Sequence, residues 1–229
     1  MIIAIEGMDG VGKSTQVDRL VHRINMNTGA EAYAMPKDFK NVAYVSCADM
    51  VANLLDDGFK NLNPKAVASM FTLQRWEYFH NAGTWSDMHD LTASDEIYVF
   101  DRYVGSNKAY QCARVPDSER DYIRSWIDNH EHFDMEIPPA DLTIFLYADF
   151  NVVLESLKKK ADSHTRLDAF EANKEYLKRV YFEYLYLAKD EDWVTIDCSP
   201  KAELLCESYI TDEIWAKVKR FLKKKGVEV

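Results

Sequence analysis

Gly7-Met8-Asp9-Gly10-Val11-Gly12-Lys13-Ser14-Thr15 has the spacing glycine, four residues, Gly-Lys-Ser, and it follows directly on the apolar run Met1-Ile2-Ile3-Ala4-Ile5. The run reads as a buried strand, and Val17, Leu20, Val21 and Ile24 behind the loop fall at helical spacing. A strand, a glycine-rich turn and a helix in that order make a phosphate-binding loop. Glycines at 7, 10 and 12 let the backbone curl until several N–H groups and the helix N-terminus face one anion. In that reading Lys13 reaches the β- and γ-phosphates of a nucleotide, and the Ser14 hydroxyl is offered to Mg²⁺.

The 229 residues are 47% hydrophobic, enough for one large core, and contain no repeat, low-complexity tract or long linker. Cysteines at 47, 112, 198 and 206 form no CxxC pair, which reads as free thiols in a reducing compartment, the cytosol. No apolar run approaches the roughly 20 residues that span a bilayer, and the N-terminus reads as a core strand, not a signal segment, so no membrane association is expected. A net charge of −10 argues against a broad nucleic-acid surface. An anionic ligand must then be met by local positive charge.

Glu31 to Ala34 reads as a second strand that Pro36 ends, with Lys37 and Lys40 in the loop beyond it. In an open parallel sheet ligands lie beyond the carboxyl ends of the strands. A short helix is expected over about 48–55, and Asn63-Pro64 opens a longer one through Val67, Met70, Phe71 and Phe79. Phe71 and Arg75, four apart, share a face on which a ring plane and a guanidinium would meet a flat heterocycle together. Ile97-Tyr98-Val99-Phe100 reads as a strand ending in Asp101-Arg102, with the aspartate turned to the nucleotide's metal and the arginine to a phosphoryl oxygen.

Further on, Pro138-Pro139 closes a long loop ahead of the strand Asp141 to Tyr147, and Asp149 to Leu157 reads as a short helix. Lys158 to Arg166 is a basic, polar segment between helices. A helix is expected from about Ala169 to Lys189, Trp193 to Asp197 reads as a fifth strand, and Ile210, Ile214, Val218, Phe221 and Leu222 mark a C-terminal amphipathic helix whose Lys223-Lys224-Lys225 tail is solvated.

Five blocks occur together and in order: Glu6 to Thr15, Phe71 to Glu77, Asp101 to Gln111, Pro139 to Thr143 and Asp168-Ala169-Phe170-Glu171. With them the chain resembles the thymidylate kinase family over nearly its whole length, the Asp101-Arg102-Tyr103 block being the most specific. The resemblance implies the P-loop nucleoside monophosphate kinase fold: α/β, one domain over residues 1–229, a five-stranded parallel sheet with helices on both faces, and a lid at about 158–168. It implies transfer of a phosphoryl group from ATP to dTMP, with Mg²⁺ as cofactor, in a homodimer.

The resemblance also implies the site. Gly7, Asp9, Gly10, Val11, Gly12, Lys13, Ser14 and Thr15 would bind ATP. For dTMP, Phe71 would stack on thymine, Arg75 would bond O4, and Asn107 the N3 edge. Tyr110 would lie under the deoxyribose as a steric floor, Arg102 would hold the acceptor phosphate, and Pro36, Lys37 and Gln111 complete the set, Lys37 standing where some members have arginine. Asp9 would contact the acceptor sugar or the metal. Ser14, Asp9, Asp101 and Glu171 form the metal set. Lys13, Asp9, Arg102 and Arg166 form the catalytic set. Two departures matter: Gly10 and Ala169 stand where other members carry arginines, so Arg166, with Lys159 or Lys160 behind it, is expected to supply the lid's cation. Two other readings stay open, a kinase for dUMP or 5-hydroxymethyl-dUMP and a nucleotide-dependent switch. A guanine switch calls for Asn-Lys-x-Asp after a strand, and the sequence has none.

Overall fold

The computed structural model describes residues 1–35, 62–80, 96–162 and 173–229. Five parallel strands form one sheet: β1 Ile2–Gly7, β2 Ala32–Met35, β3 Ile97–Asp101, β4 Leu142–Tyr147 and β5 Val194–Asp197. Their order is β2-β3-β1-β4-β5, which puts β1 in the centre with β3 and β4 as neighbours. Every residue of β1 is buried, because a central parallel strand has helices over both faces. Side chains alternate between those faces: Ile3 and Ile5 pack into one core layer, Ile2 and Ala4 into the other.

The first layer is built by α1 (Lys13–Asn27), α6 (Lys174–Asp190) and α7 (Glu207–Lys224), through Val17, Leu20, Ile24, Val180, Leu187, Ile214 and Val218. The second holds Ala68 and Phe79 of α2 (Pro64–His80), Cys112 of α3 (Val104–Cys112), and Ile123 and Ile127 of α4 (Arg120–Asp128). Each fully buried Ile or Leu contributes about 1.5–3 kcal/mol. Among the described residues a further helix, α5, spans Phe150–Asp162.

Two expectations from the sequence need correction. The stretch before Pro138 is not one long loop: it folds as a 3₁₀ turn over Asp117–Glu119, then α4, then a π-helical turn over Asn129–Asp134. Ile123 and Ile127, four apart and both buried, hold α4 to the core. The helix expected to stop at Leu157 continues to Asp162, so Lys158 and Lys159 are exposed residues of α5. Lys223, Lys224 and Lys225 are exposed, as read, and Lys225 also pairs with Asp141 Oδ1 at 3.1 Å. The helix expected over 48–55 lies outside the described residues.

Among the described cysteines, Cys112 and Cys198 are buried and Cys206 is exposed, all three as thiols. Burial pushes the Cys112 and Cys198 thiols up to about 12, which keeps them protonated and inert at neutral pH.

The turn between β3 and α3 is held by one acid. Arg102 adopts a left-handed backbone, φ 73°, uncommon for a residue with a side chain. Glu6, fully buried at the end of β1, fixes the start of α3: its Oε1 accepts from the Tyr103 and Ser106 amides at 2.8 and 2.9 Å, and its Oε2 from Ser106 Oγ at 2.5 Å. Burial pushes this carboxyl above its ordinary range, against the pull of Ser106, Arg102 and the two amides. Gly105 is required there, since a Cβ would come within 2.6 Å of the Trp193 ring and 2.9 Å of Glu6 Oε1. Glu6→Ala leaves two buried N–H groups without an acceptor and is expected to cost about 3 kcal/mol or more in urea denaturation. Glu6→Gln, whose amide oxygen can take both N–H groups while the Ser106 and Tyr184 hydroxyls reverse direction, should cost under about 1 kcal/mol. Equal losses in the two variants would contradict the clamp.

Candidate active site

Parallel pairing sets Ile5 opposite Asp101, so the loop after β1 and the Asp101-Arg102 corner after β3 open at the same edge of the sheet. That edge, where the strand order turns back, is where open α/β sheets bind ligands. In the loop Gly7, Gly10 and Gly12 have φ of 148°, 84° and 85°. At Gly7 a Cβ would lie 2.7 Å from the Leu146 carbonyl oxygen, so only glycine lets β1 leave the sheet there. Helix α1 then starts at Lys13, and no side chain caps it. Its first-turn N–H groups are left for an anion.

Around the loop, Lys13 is buried, donates to the Met8 carbonyl at 2.7 Å and lies 3.8 Å from Asp9 Oδ1. The Ser14 hydroxyl donates to Asp101 Oδ2. Asp101 Oδ1 is buried and has no hydrogen-bond partner. A hydroxyl beside an orphaned carboxylate oxygen is the oxygen-only donor set that suits Mg²⁺. No cluster of three or more His, Cys, Asp or Glu suited to a metal occurs among the described residues.

Arg102 is the hub of the neighbouring site. Its Nη1 donates to Tyr184 OH at 2.8 Å, Ser106 Oγ at 3.0 Å and the Gly7 carbonyl at 3.2 Å. Its Nη2 meets Asp9 Oδ1, and the guanidinium lies over the Tyr110 ring at 5.2 Å. Burial, the largest single influence, works against its charge, but Asp9, Tyr110, Tyr184 and Asp101 together more than offset it and hold its pKa well above the ordinary value. Tyr110 OH donates to Asp9 Oδ2 at 2.7 Å, so the hydroxyl is part of the ionic cluster as well as the ring being a surface. Burial, more than any neighbour, keeps the Tyr110 and Tyr184 phenols protonated. Helix α6 fixes α3 in turn, through Tyr176 OH to the Tyr110 carbonyl at 2.7 Å. From α5, Ser156 Oγ donates to the Gly10 carbonyl at 2.7 Å and ties that helix to the phosphate loop.

On the far side of α3, Arg75 and Asn107, which only the family resemblance links, come together around a third residue. Both bond Glu131, a fully buried carboxylate on the π-helical turn. Phe71, half-buried, precedes Arg75 by one turn of α2. Gln111 is buried, and its Oε1 accepts from Arg114 Nη1 at 2.9 Å. Pro36, Lys37, Lys40, Arg166, Ala169 and Glu171 lie outside the described residues, as does the side chain of Lys160.

The structure therefore brings Gly7 to Thr15, Asp101, Arg102 and Tyr110 to one edge, with Arg75 and Asn107 on the same helix pair beyond it. Four functional positions escaped the sequence reading: Glu6, Ser106, Tyr184 and Glu131. Glu6 had a signal, being the single acid in an otherwise buried apolar strand. Ser106 lay inside a block that was recognised, without a role. Tyr184, one of 13 tyrosines, lies in no motif, and nothing sets Glu131 apart from its polar neighbours.

The sequence matches the model of the thymidylate kinase family over residues 5–208. Thymidylate kinase of Mycobacterium tuberculosis is 28% identical over 193 residues, covering 82% of this chain and 86% of that protein. A probable thymidylate kinase of Methanosphaera stadtmanae is 26% identical over 226 residues, 97% of this chain and all (100%) of that one. In structure, a thymidylate kinase from Candida albicans superposes with a TM-score of 0.63 at 18% identity, covering 98% of this chain and 92% of that one, a likeness of fold. With the phosphate loop, the Asp101-Arg102 corner and the strand order all in place, this chain belongs to the thymidylate kinase family.

Proposed function

We infer that this protein is an ATP-dependent nucleoside monophosphate kinase that transfers the γ-phosphoryl group of ATP to dTMP, giving dTDP and ADP. The observation that carries the reading is the pairing of Ile5 with Asp101, which sets a phosphate loop and the Arg102 cluster side by side in a chain of this family. Gly7 to Thr15 wrap the ATP phosphates, with Lys13 on the β- and γ-phosphates. Arg102 holds the acceptor phosphate in line with the donor. An acceptor oxygen then bonds the γ-phosphorus as the bond to the bridging oxygen of ADP breaks, and no general base is needed because the acceptor phosphate is already an anion. Ser14 and Asp101 would hold Mg²⁺, which would neutralise phosphate charge; Glu171 and Asp9 are assigned to its surroundings by the resemblance. Asp9 also holds Arg102 and Tyr110 in position. Pro36, Lys37 and Gln111 line the acceptor site. By the family resemblance the chain is one domain and the lid function is assigned to about 158–168, which begins in the last turn of α5. The family's homodimer is carried over, with α2 exposing Leu73 and Trp76. Among the described residues no helix is long and apolar enough to cross a membrane, in keeping with a cytoplasmic enzyme.

The deciding assay measures ADP formation from ATP with dTMP, dUMP, dCMP, dGMP, 5-hydroxymethyl-dUMP or no acceptor. Turnover with dTMP supports the reading, and hydrolysis without transfer to any monophosphate would overturn it. Lys13→Ala should lower kcat by about 10²-fold or more with the fold retained by circular dichroism. Tyr110→Ala should admit UMP, whereas Tyr110→Phe removes one hydrogen bond to Asp9 and should cost about fivefold in kcat/KM for dTMP. Arg166→Ala should lower kcat and kcat/KM together by about 10²- to 10³-fold at nearly constant KM, with Arg166→Lys recovering part. A silent Arg166→Ala beside a crippled Lys159→Ala or Lys160→Ala would move the lid's cation to a lysine.

A further inference from the structure

Helix α5 meets the phosphate loop through Ser156. The inner face of the helix is fixed by Val153 and Leu157, four apart and buried in the same core layer as Val11 of the loop. Ser156, next to Leu157, is half-buried. A serine inside a helix commonly turns its hydroxyl back to the carbonyl four residues earlier. Here the hydroxyl donates instead to the Gly10 carbonyl at 2.7 Å, across 146 positions of chain. Gly10 and Gly12, on either side of Val11, have left-handed backbones with φ of 84° and 85°. Left-handed residues in such turns gather successive N–H groups into an anion-binding concavity. A trans peptide is planar, so its N–H points away from its C=O. With the Gly10 carbonyl held by α5, the Val11 N–H is therefore aimed away from that helix. The peptide is held at both ends, by Ser156 at its carbonyl and by the buried Val11 side chain beyond its amide. Among the described residues no acceptor takes the Val11 N–H.

We propose that Ser156 is a positioning residue for the phosphoryl donor: by holding the Gly10–Val11 peptide it keeps the Val11 N–H aimed at the donor's phosphates. It does so from the helix whose last turns carry the exposed Lys158 and Lys159. Without the hydroxyl this peptide can rotate, because the glycine on its carbonyl side has no side chain to stop it. A bound polyphosphate would then have to order the peptide, and that cost falls on nucleotide affinity. Arg102, on the acceptor side, is held by other bonds, to Tyr184, Ser106 and Asp9. The proposal deepens the kinase reading and rests on its donor half, the phosphate loop.

The test measures ADP affinity by calorimetry with Mg²⁺ present, steady-state KM values for ATP and dTMP, and the thermal unfolding midpoint. The full chain is compared with Ser156→Ala and Ser156→Thr. Ser156→Ala should raise the ADP Kd and the KM for ATP about three- to tenfold, the effect of one hydrogen bond, at constant KM for dTMP. Alanine is the better helix former, so the midpoint should not fall. Ser156→Thr keeps the donor in a residue that suits a helix less well, and should restore nucleotide affinity while lowering the midpoint. A merely structural role predicts the opposite order, with affinity following the midpoint, and that pattern overturns the proposal. Ser156→Ala with wild-type ADP affinity overturns it too, as does an equal rise in both KM values. The expected ADP response in a protein that transfers nothing to dTMP supports the positioning role and sinks only the kinase reading. Wild-type protein that binds no ADP overturns both.

Discussion

The contact on which the rest of this structure depends is the parallel pairing of β1 with β3. Ile5 stands opposite Asp101, and the Arg102 amide donates to the Ile5 carbonyl at 3.0 Å, so the ladder runs up to the point where both strands leave the sheet. A shift of one residue would turn Ile3 and Ile5 out of their core layer and would also carry Asp101 away from Ser14. Core packing and active-site geometry are thus fixed by the same register. Glu6 extends this coupling past the end of the sheet, because a β1 side chain holds the backbone of the turn after β3.

Electrostatically, the positive groups of the site are already paired within the protein. Lys13 has the Met8 carbonyl, Arg102 has Asp9 and three further acceptors, and Tyr110 has Asp9. Phosphates entering here exchange one set of hydrogen bonds for another, which limits what binding gains in the ground state. Interactions that strengthen only as charge moves in the transition state are the ones that accelerate reaction. Holding the positive groups this way also lets a chain of net charge −10 keep an anion site without a large basic surface.

Most of the fold was legible in the sequence because its signals are local. The apolar runs ending at Ile5, Phe100 and Tyr147, the glycines of the loop and the 3.6-residue spacing of Val17, Leu20 and Ile24 each specify one element without reference to the others. Residues 117–134 were read as loop because Pro116 and a run of charged residues obscured the Ile123–Ile127 repeat. The site was legible where its residues lie in contiguous blocks. It was not where function comes from a distant partner: Glu131 meets Arg75 across 56 positions of chain, and Tyr184 meets Arg102 across 82. No spacing rule reaches across such separations, and a buried carboxylate looks like a solvated one until its neighbours are known.

The Ser156–Gly10 hydrogen bond bears on how this loop can change over evolutionary time. A Cβ at position 10 would lie 2.9 Å from Ser156 Oγ and 3.1 Å from its Cβ, on a backbone with φ 84° that favours glycine. Position 10 is where some thymidylate kinases carry an arginine, so this chain cannot acquire that cation in one step. A side chain at position 10 requires the Ser156 side chain and the loop backbone to shift, which puts the Ser156–Gly10 bond at risk. The two positions form an epistatic pair, and the missing arginine is a barrier in sequence space, not a single absent side chain.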